Sequence, residues 1–198
     1  MNKGSRVYHF LRSFFGPFIV FLYRVKFINK KNIPENGAYI LASNHVSSMD
    51  PLYIIIGQRR QIFFMTKAEL FDNKLLGGFL RYMGCFPVSR GKSDKASIKH
   101  FEEILQSKNL MGIFIEGTRS KDGEFLPPKN GVSLIAYNSK TPVVPVCITK
   151  KGFFKIVHFG EPLSLDDMGL KTGASKELRE ATRIIMDNIK SLREQDLN

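Results

Sequence analysis

His45 and Asp50, five residues apart, are the first pair whose types suit chemistry. Five residues of regular helix turn the chain by about 140°, so the two side chains would not face each other in mid-helix. They meet if the backbone is still a loop at His45 and becomes helical near Ser47 or Asp50. The sequence offers that arrangement: Ser47-x-x-Asp50 has the form of a capping box, and Pro51 is tolerated in a helix's first turn. A carboxylate bound to one ring nitrogen fixes the imidazole tautomer and raises the basicity of the other nitrogen. Such a pair removes the proton of a neutral hydroxyl as that hydroxyl attacks. The spacing equally fits a plainer arrangement, in which Asp50 only caps a helix and His45 is a polar loop residue.

Arg90 and Arg119 each follow a short apolar run, and a guanidinium matches phosphate through two parallel hydrogen bonds. Lys67 and Lys129 add to the same positive field, although any one of these cations taken alone reads as a solvated surface charge. Glu116, at the head of Glu116-Gly117-Thr118-Arg119-Ser120, is placed to orient an arginine or His45, or to cap the next turn. Other patterns fall away. Arg90-Gly91-Lys92-Ser93 lacks the glycine a phosphate-binding P-loop needs, because Phe86 stands in its place. No G-x-S-x-G occurs, which removes a serine-hydrolase elbow. His9, His45, His100 and His158 lack metal-ligand spacing, so no metal site is expected. Cys85 and Cys147 read as small buried residues and are too few for a disulfide framework.

The elements that must position these residues alternate. The pattern predicts strands over 38–43, 61–66, 85–89, 110–115, 143–149 and 153–159. It predicts helices over 50–57, 70–82, 95–107, 131–139 and 175–192, the last with Ser175 as N-cap. This order argues for an α/β fold, a central and largely parallel sheet flanked by helices. In open sheets of this kind ligands bind beyond the carboxyl ends of the strands. His45, Arg90 and Arg119 all fall just after predicted strands, on one rim.

The chain has 198 residues, one domain's length, with 30 Lys and Arg against 18 Asp and Glu, a net charge of +12. Its partners should be anionic. Residues 1–34 carry seven basic side chains and no acid. Within them Val7, Phe10, Leu11, Phe14, Phe15, Phe18, Phe21 and Leu22 recur at helical spacing. The uncharged run from Ser13 to Tyr23 spans about 16 Å as helix, against about 30 Å of bilayer hydrocarbon. It cannot cross, and Arg24, Lys26, Lys30 and Lys31 follow it where a signal peptide would need a cleavage site. A basic, Phe-rich amphipathic helix of this kind suits the membrane interface, although the same pattern fits a helix packed on the core. The expected organisation is an interfacial amphipathic helix over residues 1–29 and one globular domain over residues 30–198.

Taken together, Asn44-His45-x-Ser47-x-x-Asp50, Gly84-x-x-Pro87-Val88-x-Arg90, Phe114-Ile115-Glu116-Gly117-Thr118-Arg119-Ser120 and Val144-Pro145-Val146 resemble the four ordered blocks of the glycerolipid acyltransferase family. The likeness is greatest to the bacterial branch that acylates 1-acyl-sn-glycerol 3-phosphate. Lys67-x-Glu69-Leu70 and Lys129-x-Gly131 resemble further family segments, and the likeness runs from about residue 30 to about residue 165. Ile115 stands where the third block often has proline. The resemblance implies that His45 is the general base on the sn-2 hydroxyl and that Asp50 holds it. It implies that Arg119, with Gly117 and Thr118 shaping its turn and with Arg90, Lys67 and Glu116 nearby, binds the acceptor phosphate, and that Pro145 shapes the acyl-chain side. It further implies a direct attack on acyl-CoA or acyl carrier protein thioester as co-substrate, with no metal or redox cofactor. Phosphatidic acid for phospholipid biosynthesis would be the product, made at the cytoplasmic face of the cell membrane by a peripheral or monotopic protein on an anionic leaflet.

Rival expectations are acylation of glycerol 3-phosphate or another lyso-lipid, a non-enzymatic basic protein of the membrane surface, and an RNA-binding module. Against the last, most Phe residues lie in strand cores or the N-terminal face and no RNP-like run occurs, so no nucleic-acid partner is expected.

Overall fold

The computed structural model describes residues 3–88 and 95–198. Among the described residues seven strands form one sheet: β1 (Val25–Ile28), β2 (Tyr39–Ser43), β3 (Ile62–Lys67), β4 (Cys85–Val88), β5 (Leu110–Phe114), β6 (Val143–Lys151) and β7 (Phe154–Phe159). Their order is β1-β7-β6-β2-β5-β3-β4, and every neighbouring pair is parallel except β6 with β7. Six described α-helices cover the sheet: α1 (Lys3–Tyr23), α2 (Asp50–Gly57), α3 (Lys74–Tyr82), α4 (Lys95–Gln106), α5 (Gly131–Ser139) and α6 (Ser175–Leu197). The fold is the expected α/β arrangement, a largely parallel sheet between helical layers.

The period of two along each strand divides the core. Ile40 and Ala42 of β2 pack with Phe101, Ile135 and Ile185 from α4, α5 and α6. Leu41, one residue between them, packs on the other face with Tyr8 of α1 and Tyr53 and Ile54 of α2. Close packing leaves no room beside Gly112 in β5, where an added Cβ would lie 2.1 Å from the Phe64 ring.

The differences from expectation have local causes. The 70–82 helix starts only at Lys74, because Asn73 accepts hydrogen bonds from the N–H groups of Leu75 and Leu76, both at 3.1 Å, after a separate 3-10 turn over Ala68–Phe71. Ser175 does not cap α6; Ala174 precedes the helix with no side-chain cap. Glu177 instead reaches back to the N–H groups of Lys171, Thr172 and Gly173. The fourth strand ends at Val88, and its expected last residue, Ser89, lies outside the described residues.

Residues 1–29, expected as one interfacial helix apart from the domain, also supply a strand of the central sheet. Val25–Ile28 pair in parallel with β7 as an edge strand. Helix α1 carries an inward stripe that its outward phenylalanines concealed in the sequence. Tyr8 is fully buried and donates to the Arg60 carbonyl at 3.3 Å, Arg12 donates to the Ile56 carbonyl at 3.1 Å, and Leu11, Ile19 and Val20 pack on the core. Phe10, Phe14, Phe15, Phe18, Phe21 and Leu22 face outward and are exposed. Helix α1 therefore has one face packed on the core and one face of exposed phenylalanines. No described helix is long and apolar enough to cross a membrane.

Candidate active site

β2 and β5 lie side by side at the centre of the sheet, with Ser43 paired to Phe114, so both strands release their chains at the same rim. The Ile115 N–H donates to the Ser43 carbonyl at 2.9 Å, and the Ser120 N–H donates to the His45 carbonyl at 2.8 Å. On the other side of β2, the Asn44 side chain accepts from the Ile148 N–H at 2.8 Å and donates to the Ile148 carbonyl at 3.0 Å. The loop that carries His45 is thus tied to β5 and to β6 before α2 begins. Asn44 substitutes its amide for a backbone rung at the point where β2 stops.

Asp50 opens α2 and is fully buried. Its Oδ2 accepts from the N–H groups of Val46 and Ser47, each at 2.7 Å, and from His45 Nδ1 at 2.9 Å. The expected capping box is half formed: the carboxylate reaches back to the Ser47 N–H, while Ser47 Oγ accepts from Met49 rather than from Asp50. Asp50 therefore caps its helix and holds the histidine at once. An ionised carboxylate only accepts, so Nδ1 carries the ring proton and Nε2 keeps its lone pair. The His45 ring stacks on Phe114, centroids 3.8 Å apart and planes 14° from parallel. Its side chain stays 16% exposed, and Nε2 makes no hydrogen bond among the described residues. One nitrogen is fixed, one ring face is covered, and the second nitrogen is left to act.

Glu116 is buried beside this pair, and among the described residues neither carboxyl oxygen has a hydrogen bond of good geometry, the backbone of Leu126 and His45 being its nearest donors. Burial pushes its pKa up from 4.5, and the Asp50 charge adds to the rise, while the nearby backbone of Leu126 and His45 pulls the other way. It pairs with neither the His45 ring nor Arg119, the two partners the sequence suggested. The turn that follows needs glycine. Gly117 has φ +69, and an added Cβ would meet Lys129 Cδ at 2.9 Å. Lys129 lies across the turn, its own N–H donating to the Ile115 carbonyl at 2.8 Å. Thr118 and Arg119 are exposed at the tip, with no ion pair holding Arg119 among the described residues.

Lys67 ends β3, the strand beside β5, and pairs with Glu69 at 3.0 Å where both are well exposed. Pro145 lies within β6 opposite Ala42 of β2, one step below the rim pair Ser43 and Val146. Regular pairing of β6 with β7 begins only at Val146, so the proline's missing N–H falls outside that ladder. Arg90 lies outside the described residues. His45, Asp50, Glu116 and Gly117 thus meet at one place, with Lys129 over the turn and Lys67 on the same rim. The part of Phe114 was not legible, because the pairing that puts it beneath His45 spans two distant strands. The double hydrogen bond of Asn44 to Ile148 was hidden for the same reason.

Cysteine chemistry does not fit: burial pushes the Cys147 thiol up to about 12 and raises Cys85 as well. Among the described residues no group of three or more His, Cys, Asp and Glu is placed to hold a metal ion. The arrangement suits proton removal from a hydroxyl on an anionic molecule.

Known proteins share this architecture. The family model described as Acyltransferase matches residues 24–149. A 1-acyl-sn-glycerol-3-phosphate acyltransferase of Bacillus subtilis (strain 168) is 34% identical over 178 residues, covering 85% of this chain and 87% of its own. One from Streptococcus pneumoniae (strain ATCC BAA-255 / R6) is 28% identical over 204 residues, covering 92% and 75%. The crystal structure of the 1-acyl-sn-glycerophosphate (LPA) acyltransferase PlsC from Thermotoga maritima superposes with a TM-score of 0.70 at 22% identity, covering 97% of this chain and 94% of that one.

Proposed function

Because the chain belongs to the acyltransferase family, we propose that His45 is its general base and that Asp50 fixes the base's tautomer. The enzyme is an O-acyltransferase that esterifies 1-acyl-sn-glycerol 3-phosphate to phosphatidic acid. In the proposed step Nε2 of His45 takes the proton of the sn-2 hydroxyl while that oxygen attacks the thioester carbonyl. The new C–O bond forms, the C–S bond breaks, and the departing thiolate takes the proton back from the imidazolium. The thioester is already activated, so the balance needs no further cofactor. Arg119 and Lys129, on either side of the Gly117 turn, hold the acceptor phosphate, with Lys67 and Arg90 completing the positive rim. Glu116 gives that turn a buried base, and Pro145 borders the acyl-chain side.

The donor is a thioester of coenzyme A or of acyl carrier protein; the first is phosphorylated and the second acidic, and a net charge of +12 suits either. The outward phenylalanines of α1 among basic side chains suit a peripheral protein on the cytoplasmic, anionic leaflet, where a lipid acceptor resides.

The observation that carries this reading is the His45 ring, bound to Asp50 at Nδ1 and free at Nε2. The test is purified enzyme given 1-acylglycerol 3-phosphate, glycerol 3-phosphate and a phosphate-free monoacylglycerol with either donor, the products being read by mass spectrometry. The lyso-phospholipid should be acylated at sn-2, and Arg119→Ala should raise its KM roughly tenfold to a hundredfold, with the donor's KM unchanged. Preference for glycerol 3-phosphate would redirect the reading to sn-1 acylation. A raised donor KM alone would assign Arg119 to the donor.

A further inference from the structure

The hairpin joining β6 to β7 overhangs the catalytic rim. β2 ends at Ser43, whose partner in β6 is Val146, yet β6 continues to Lys151. The remainder of that strand adds roughly 16 Å beyond the level at which His45 leaves the sheet. Its tip reads Lys150-Lys151-Gly152-Phe153-Phe154-Lys155, with Gly152 at φ +58 making the turn and Phe153 82% exposed.

The tip lies against the α1–β1 junction. Lys155 is the sheet partner of Val25, and its N–H donates to the Arg24 carbonyl at 3.2 Å. The Arg24 guanidinium lies 5.4 Å from the centroid of the Phe153 ring, and Lys26 Nζ lies 3.7 Å from that of Phe154. Between the two segments runs an open groove of about 500 Å3, lined by Val20, Phe21, Leu22 and Phe154 together with Arg24 and Lys26. Phe21, on its edge, is 83% exposed. Neither residues 1–34 nor residues 143–160 contain an acidic side chain.

Exposed aromatic rings set among cations, with no acid nearby, match the chemistry of an anionic bilayer surface: the rings enter the headgroup layer and the charges meet acidic lipid. An acidic protein would answer the charge but would need an apolar surface of its own to cover rings exposed beyond four-fifths, which a bilayer supplies without further design. We propose that the β6–β7 turn, together with the α1–β1 junction at the end of α1's outward face, forms a contact with an anionic bilayer beyond that face, and that this contact turns the catalytic rim toward the leaflet. The proposal rests on the reading of the acceptor as a membrane lipid. It also answers a geometric need. A single helix lying in the interface sets the depth of a protein but, its apolar face being broad, restrains roll about the helix axis only loosely. A second contact at the carboxyl end of the strands removes that freedom and keeps His45 on the lipid side.

The experiment uses the full chain and two variants, Phe153→Ser and the double substitution Lys150→Glu with Lys151→Glu. Sedimentation with vesicles of phosphatidylcholine plus phosphatidylglycerol, and of phosphatidylcholine alone, reads partition. Turnover is measured on acceptor in the same vesicles and on acceptor dispersed in detergent. Partition to the anionic vesicles should fall about tenfold for each variant, and vesicle turnover with it. Thermal melting and detergent turnover should stay at parent values. Unchanged partition in both variants would overturn the proposal. So would unchanged partition with a KM raised only for acyl carrier protein, which would make the tip a protein dock. If the parent acylated no lyso-lipid in detergent, the functional reading would fail while the partition data still judged the hairpin.

Discussion

Two histidine–aspartate pairs among the described residues share one local geometry and have unlike surroundings. His45 meets Asp50 through Nδ1 at 2.9 Å, and His158 of β7 meets Asp196 of α6 through Nδ1 at the same distance. The difference is at the other nitrogen. Nε2 of His45 has no partner among the described residues, and its side chain is 16% exposed. Nε2 of His158 accepts from the Asn29 side chain at 3.2 Å, and its side chain is 5% exposed under the end of α6. The second pair joins the loop after β1, strand β7 and the C-terminal helix, with nothing left over for a substrate. A carboxylate on a histidine is therefore no evidence of catalysis by itself. What decides is whether the remaining nitrogen opens onto a rim that holds charge for a ligand.

Exchanging the roles of the two pairs by mutation is the strongest way to break this contrast. His45→Ala should lower kcat by about 10²–10⁴ while the melting temperature holds, because a positioned base is lost from the partly exposed edge of the site. A folded variant retaining more than about a tenth of parental turnover would remove His45 from the role. His158→Ala should do the reverse. It leaves Asp196 buried without its partner, and urea titration should find about 3–5 kcal/mol of stability gone, with turnover per folded molecule unchanged. Equal damage to turnover in both variants would collapse the comparison.

Smaller effects sharpen it. Phe114→Leu removes the ring beneath His45 and should cost about threefold to tenfold in kcat without moving the acceptor KM, since stacked rings are worth about 0.5–1.5 kcal/mol. A KM change with kcat intact would make Phe114 a substrate contact. Glu116 gives the smallest and most specific effect. Its raised pKa means that folding favours the protonated carboxyl, so its contribution to stability is present in acid and lost as pH rises through the raised value. Glu116→Gln should abolish that slope. The melting temperature of the variant relative to the parent should climb from pH 4 toward pH 7, and a falling difference would mean that the ionised form is the one the fold stabilises.

Most of the element order was legible because short apolar strands and amphipathic helices alternate with clear punctuation. What escaped depended on partners distant in sequence. Val25–Ile28 gives little strand signal, being four residues long with Lys26 exposed in its middle; it is a strand because β7 lies beside it. The inward stripe of α1 includes Arg12, which no apolar pattern would select and which is placed by the Ile56 carbonyl. Asp50 could be read as helix cap or histidine partner, and its one oxygen serves both roles. The candidate site was visible as residue types on one rim. Its pre-organisation by Phe114, Asn44 and Lys129 arises from the juxtaposition of β2, β5 and β6.

That juxtaposition also sets an order in time. The residues that meet at the site come from the ends of β2, β5 and β6, and the Asn44–Ile148 link closes the arrangement across most of the chain. Contacts so distant in sequence form late and slowly. Helix α1 precedes all of them. At about 5–20 residues per second, roughly 130 residues separate its release from the ribosome from that of the β6–β7 turn, an interval on the order of 10 s. Throughout it the outward phenylalanines are available while no complete site exists. The nascent chain thus acquires its apolar surface well before it acquires its chemistry.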